Sequence, residues 1–116
     1  MIRIFSYSKC QSCRKALNWL DEHKINYQLI DIVQSPPSKE IILEAINKLG
    51  DRKFLFNTSG KSYREIGSAR IKSMSDQQVV EALCADGKLI KRPLLIQDNS
   101  NVLAGFKPDI WSETLL

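Results

Sequence analysis

No apolar run in this chain approaches the length needed to span a bilayer, and its start, Met1-Ile-Arg-Ile-Phe-Ser-Tyr7, lacks the long apolar stretch of a secretory signal. No membrane partner is expected. Cysteine is scarce, with three residues, which argues against a disulfide framework as the scaffold. A reducing cytoplasm is the expected compartment, where a disulfide is transient or regulatory. Runs of like charge are missing too. The 17 Lys and Arg residues are interspersed with 13 Asp and Glu, among them Asp21, Glu22, Glu40 and Glu44, for a net charge of +4. That pattern reads as a solvated surface of mixed charge and argues against direct nucleic-acid binding. Repeats, linkers and low-complexity segments are absent. What remains is a 116-residue chain of ordinary globular composition, enough for one domain with a modest core.

Along the chain, residues 2–7 read as a buried strand and residues 11–23 as a helix with Ala16, Leu17 and Leu20 facing inward. Tyr27–Ile32 is a second strand, so the first third is β-α-β, with parallel strands joined by a right-handed crossover. Ser35-Pro-Pro-Ser38 breaks the pattern, Ser38 caps a helix over 39–49, and Gly50 ends it. Helical pieces follow at 61–67 and 75–85. After Gly87, the runs Leu89–Gln97 and Val102–Phe106 flank Asp98-Asn-Ser-Asn101 as a hairpin. Pro108 opens a closing helix. The order β-α-β, helical block, β-β-α describes an α/β thioredoxin-like sheet carrying an all-helical insertion at about residues 36–87, within a single domain over 1–116.

Chemistry concentrates at Cys10-Gln-Ser-Cys13. The pair follows a strand and opens a helix, whose free N–H groups and positive dipole end favour a thiolate over a thiol. Lys9, Arg14 and Lys15 add positive charge. CxxC beside a βαβ pattern reads as a redox motif. A zinc site would need further ligands, and the only histidine, His23, is separated from Cys13 by helix rising about 15 Å, so it cannot share a metal with the pair. Haem attachment requires histidine where Arg14 stands. No metal and no bound cofactor is expected. Within the pair, Cys10 lies at or just before the helix start and is the expected nucleophile; Cys13, inside the first turn, is the expected resolving thiol. Ser12 is a candidate to solvate the thiolate.

Arg92-Pro93 is a second constellation. Proline ahead of Leu94-Leu-Ile96 restricts Arg92 to extended geometry and leaves a cis bond open. Arg92 can hold an anion or steady the thiolate, or be a surface cation beside Lys91. Gly60-Lys61-Ser62 suggests a phosphate loop, but Leu55 occupies the position where the spacing needs glycine, so a polar turn before a helix is the preferred reading. Cys84, on an apolar helix face, is expected in the core, as are Trp19 and Trp111.

The stretches Cys10-Gln-Ser-Cys-Arg-Lys-Ala16, Phe56-Asn-Thr-Ser-Gly-Lys-Ser-Tyr-Arg-Glu65, Met74-Ser75, Asp86–Leu95 and Val102-Leu-Ala-Gly-Phe106 resemble, in order and spacing, the arsenate reductase (ArsC)/Spx family, and most of all its short reductase-like bacterial branch. The resemblance implies a thioredoxin-like fold with a helical insertion and a cis Arg92-Pro93 bond. It implies two classes of function. One is a thiol-dependent oxidoreductase in which Cys10 attacks, Cys13 resolves, and Arg92 with Ser12, Lys15 and Pro93 binds substrate or stabilises the thiolate. Glutathione, glutaredoxin or thioredoxin is then the reductant. Arsenate reductases of the family cradle the oxyanion with three arginines. Only Arg92 matches, because Asn57 and Phe106 stand at the other two positions, which argues against arsenate itself. The other class is a Spx/MgsR-type transcription regulator that binds the RNA polymerase α subunit under control of a Cys10–Cys13 disulfide switch.

Overall fold

Ile2, Ile4 and Phe5 are buried along β1 (Ile2–Ser6), and so is Ser6, the near-continuous burial of a central strand covered on both faces. The computed structural model describes all residues, Met1–Leu116, and the chain divides into two compact units, one made of Met1–Asp31 with Arg92–Leu116 and the other of Ile32–Lys91.

The first unit is built on a four-stranded sheet of order β2-β1-β3-β4. β1 pairs in parallel with β2 (Gln28–Asp31), from Arg3 opposite Gln28 to Ser6 opposite Asp31, and α1 (Gln11–Glu22) makes the crossover. On its other side β1 runs antiparallel to β3 (Leu94–Gln97), with Ile2 opposite Gln97 and Phe5 opposite Leu94. β4 (Val102–Ala104) closes the hairpin onto β3. Helix α1 buries Cys13, Ala16 and Leu20, residues three and four apart that share one face. Ala16 and Leu20 belong to a core with Ile2, Ile4, Leu95, Leu103 and Trp111, the last carried by α6 (Pro108–Leu115) with proline in its first turn. The buried Trp111 indole N–H donates to the Gly105 carbonyl at 3.1 Å, and Gly105 takes a left-handed φ of 77° that places its own N–H 2.9 Å from the Pro93 carbonyl. Phe106 meets Trp111 edge-on at 5.0 Å between ring centres. This is a thioredoxin-like sheet and helix arrangement.

The second unit is helical. α2 (Lys39–Leu49) starts where the Ser38 hydroxyl accepts the Ile41 N–H and stops at Gly50, at φ 90°. A 3-10 turn over Arg52–Leu55 leads to α3 (Lys61–Ile66) and α4 (Ser68–Ser73). α5 (Asp76–Ala85) carries a reciprocal cap in which Ser75 Oγ accepts the Gln78 N–H and Gln78 Oε1 accepts the Ser75 N–H. Ile42 and Ala45 of α2 and Val79, Val80 and Leu83 of α5 are buried in this unit.

Three boundaries differ from the sequence reading. The helix expected over 61–67 is α3, which ends at Ile66 because Gly67 at φ 92° breaks the backbone, and a further helix, α4, follows over Ser68–Ser73 where none was expected. The strand expected over Leu89–Gln97 is confined to Leu94–Gln97. Leu89 instead ends a 3-10 turn (Gly87–Leu89), and Ile90 forms an isolated bridge with Phe56. The last strand stops at Ala104 because Gly105 turns the chain.

Candidate active site around Cys10

Cys10 is the N-cap of α1. Its φ and ψ of −110° and 115° are extended, and its Sγ accepts the Cys13 backbone N–H at 3.2 Å, the role a serine or aspartate oxygen plays in an ordinary cap. The turn that delivers it is closed by the Cys10 N–H donating to the Tyr7 carbonyl at 3.1 Å. No acidic residue occupies the first turn of α1, so nothing there opposes negative charge on sulfur. Cys10 is half-buried, within reach of a partner from solvent; Cys13 has no exposed surface.

Burial pushes the Cys13 thiol up to about 11, reinforced by its hydrogen bond to Cys10, while hydrogen bonds involving the Tyr7 backbone and the Ser6 side chain pull the other way. At neutral pH Cys13 is therefore a protonated thiol held against Cys10. All cysteines in the chain are free thiols.

Arg92 and Pro93 belong to the same unit. The Arg92-Pro93 bond is cis, Pro93 is buried, and Arg92 is half-buried. The guanidinium carbon of Arg92 lies over the Tyr7 ring, 5.2 Å from its centroid, within the range of a cation–π contact. The β1–β3 register, continued two positions beyond Phe5 opposite Leu94, sets Tyr7 opposite Arg92. Cys10 is thus hydrogen-bonded to the backbone of the residue whose ring faces Arg92. A cleft of about 520 Å³ opens beside the same loop, walled by Ser6, Tyr7, Ser8, Arg14, Leu17 and Leu29 among others.

Ser12 and Lys15 are exposed on the first turns of α1, and neither forms a hydrogen bond or ion pair with the thiols. His23 caps the opposite end of α1, its Nδ1 2.8 Å from the Trp19 carbonyl and its ring 4.2 Å from the Trp19 ring. Cys84 departs from expectation: it is half-buried on α5 rather than enclosed, with its thiol raised by partial burial and then by the negative charge of Glu40. Asn57 donates to the Lys88 carbonyl at 3.3 Å and accepts from the Ser59 hydroxyl at 3.4 Å, within the polar turn that leads into α3. Phe106 is committed to the aromatic cluster with Trp19 and Trp111. Sequence reasoning passed over Tyr7, whose partner is visible only once the β1–β3 register is known.

Residues 5–114 match the model of the ArsC family. The chain is 43% identical to the uncharacterized protein YusI of Bacillus subtilis over 97% of this chain and 96% of that one. It is 29% identical to the global transcriptional regulator Spx of Listeria innocua, over 94% of this chain and 82% of Spx. Among solved structures, a protein from Streptococcus mutans described as a possible arsenate reductase superposes with a TM-score of 0.86 at 37% identity, covering 92% of each chain. Matched over nearly its whole length in sequence and in fold, the chain belongs to the ArsC family.

Proposed function

We propose that the protein is a small thiol-disulfide oxidoreductase in which Cys10 attacks and Cys13 resolves. The observation that carries this reading is the division between the two sulfurs: a half-exposed Cys10 at a helix N-cap and a fully enclosed, protonated Cys13 bonded to it. In the first step the Cys10 thiolate attacks one sulfur of a disulfide. A Cys10–substrate disulfide forms, the substrate S–S bond breaks, and its electron pair leaves on the other sulfur as a thiolate. In the second step Cys13 gives up its proton to a base or to water and attacks Cys10 Sγ. The Cys10–Cys13 disulfide forms, the bond to the substrate breaks, and the substrate leaves as a second thiolate. The substrate gains two electrons and the protein loses them. Glutathione with glutaredoxin, or thioredoxin, returns the pair to dithiol. Arg92 holds negative charge on the incoming partner, and Pro93 fixes the backbone from which Arg92 projects. Ser12 and Lys15 contribute at most to the surrounding polarity.

Arsenate is a poor fit as substrate. Asn57 is engaged with Lys88 and Ser59 and carries no charge, and Phe106 is packed among tryptophans, so Arg92 is left without the two companion arginines of the arsenate-reducing pattern. Reduction of a glutathione mixed disulfide in the presence of glutathione and glutaredoxin, or of thioredoxin, tests the proposal. Turnover is expected in the wild type and lost in Cys10→Ser; turnover unchanged in that variant refutes it.

The likeness to Spx supports a second reading, a regulator of transcription that engages the RNA polymerase α subunit when the Cys10–Cys13 pair changes oxidation state. Binding of purified α C-terminal domain to the reduced and the diamide-oxidised protein tests it. No binding in either state removes it.

A further inference from the structure

The helical unit holds a cavity of about 240 Å³ to which the thiol chemistry gives no task. It lies among the 3-10 turn over Arg52–Leu55, the segment that follows it, α3 and α4. Its inner wall is apolar. Phe56 and Ile71 are buried, and the half-buried Tyr63 ring meets Phe56 edge-on at 5.9 Å between centres. Its lining also carries three cations, Arg52, Lys53 and Lys72, against one carboxylate, Asp51. That carboxylate is already engaged, because Asp51 Oδ1 accepts the Lys53 backbone N–H at 2.8 Å. Arg52 ties the lining together, its guanidinium donating to the Lys72 carbonyl at 3.3 Å and to Asp76 at 3.1 Å. The Lys53 ammonium lies over the Phe54 ring, 5.2 Å from its centroid. Lys72 is exposed, and its ammonium pairs with no carboxylate.

An apolar wall beside uncompensated positive charge fits a ligand of two parts. The wall takes a ring out of water, which supplies the drive to enter, and one negative group on the ring meets the cations, which fixes its orientation. Size narrows the class. An apolar cavity of about 150 Å³ holds benzene, so this larger one has room for a ring and a small substituent but not for a nucleotide. We infer that the cavity is a binding site for a small aromatic carboxylate, with the ring against Phe56, Tyr63 and Ile71 and the carboxylate toward Lys72. A wholly apolar ligand would leave the cations unused, and a small inorganic anion would leave the wall unfilled. Binding is non-covalent and does not depend on how Cys10 reacts.

The test titrates three probes into the reduced, isotope-labelled full chain and follows its backbone amides by NMR. Benzoate carries ring and charge, benzyl alcohol keeps the ring without the charge, and acetate keeps the charge without the ring. Benzoate is expected to saturate with a Kd on the order of 1 mM, as suits a ligand of this size. Its shifts should centre on residues 51–72. Benzyl alcohol should bind at least about threefold more weakly, and acetate should not saturate over the same range. Added salt should narrow the gap between benzoate and benzyl alcohol. Lys72→Gln alters an exposed side chain and keeps the backbone carbonyl that Arg52 uses. It should weaken benzoate by about two- to fivefold and leave benzyl alcohol unchanged. The inference is overturned by benzoate that does not saturate, by shifts centred elsewhere, or by benzyl alcohol or acetate binding as well as benzoate. An unchanged benzoate affinity in Lys72→Gln overturns it equally.

Discussion

The Cys13 thiol, enclosed and pushed up to about 11, gains more from the fold when protonated than when ionised. Its proton is bound more tightly in the native state than in the unfolded chain, where the ordinary value is 9.0. Stability from this group is therefore complete below pH 9, and it is lost as pH rises from there through about 11. The loss is on the order of 2 kcal/mol. Urea unfolding at about pH 8 and about pH 10 should show a steeper decline for the wild type than for Cys13→Ala. Equal declines would mean that burial does not hold the proton. The same asymmetry predicts that iodoacetamide at neutral pH labels Cys10 in the native protein and leaves Cys13 unlabelled until the chain is unfolded, read by peptide mass spectrometry. The placement of Cys10 at the start of α1 and of Cys13 inside its first turn was legible in the sequence. The Tyr7–Arg92 contact was not, because it depends on a strand register that no local pattern reveals. Cys84 was misjudged because an apolar helical neighbourhood does not say which side of the helix its neighbours cover.

Elements were most legible where capping chemistry marks them. Ser38 and Gly50 bracket α2, and Ser75 with Gln78 opens α5, each by a hydrogen bond that the residue type dictates. Ser75→Ala should lower stability by about 1 kcal/mol, read as a shifted urea midpoint with unchanged slope. Elements were least legible where backbone conformation intervenes. The split between α3 and α4 lies at Gly67, whose left-handed backbone no apolar spacing foretells. The strand expected from Leu89 is cut short where Gly87–Leu89 winds into a 3-10 turn. Gly87 is there for room, since a Cβ at that position would run into the Ile32 carbonyl oxygen. Gly87→Ala should destabilise by about 1–3 kcal/mol, checked by the same unfolding measurement, and a neutral effect would show that the turn can shift to admit a methyl group.

At the scale of the whole molecule, the β-α-β and β-β-α segments that the sequence places 60 residues apart join one sheet, with β1 between β2 and β3. The parallel pairing of the first two strands and the hairpin of the last two followed from element order, the crossover rule and the turn signal. The sheet brings the strand that leads to Cys10 beside the strand that follows Arg92-Pro93. What the topology does not supply is the choice among partners. The account turns on one property, reversible exchange at the Cys10–Cys13 pair. Equilibration of the native protein in glutathione buffers of graded oxidation, followed by acid quenching and mass spectrometry, measures it directly. The predicted result is an intramolecular Cys10–Cys13 disulfide formed reversibly and more readily than in the denatured chain, arrested as a Cys10–glutathione adduct in Cys13→Ser and absent in Cys10→Ser. A disulfide no easier to form than in the denatured chain, or a first glutathione adduct at Cys84 rather than Cys10, would contradict it.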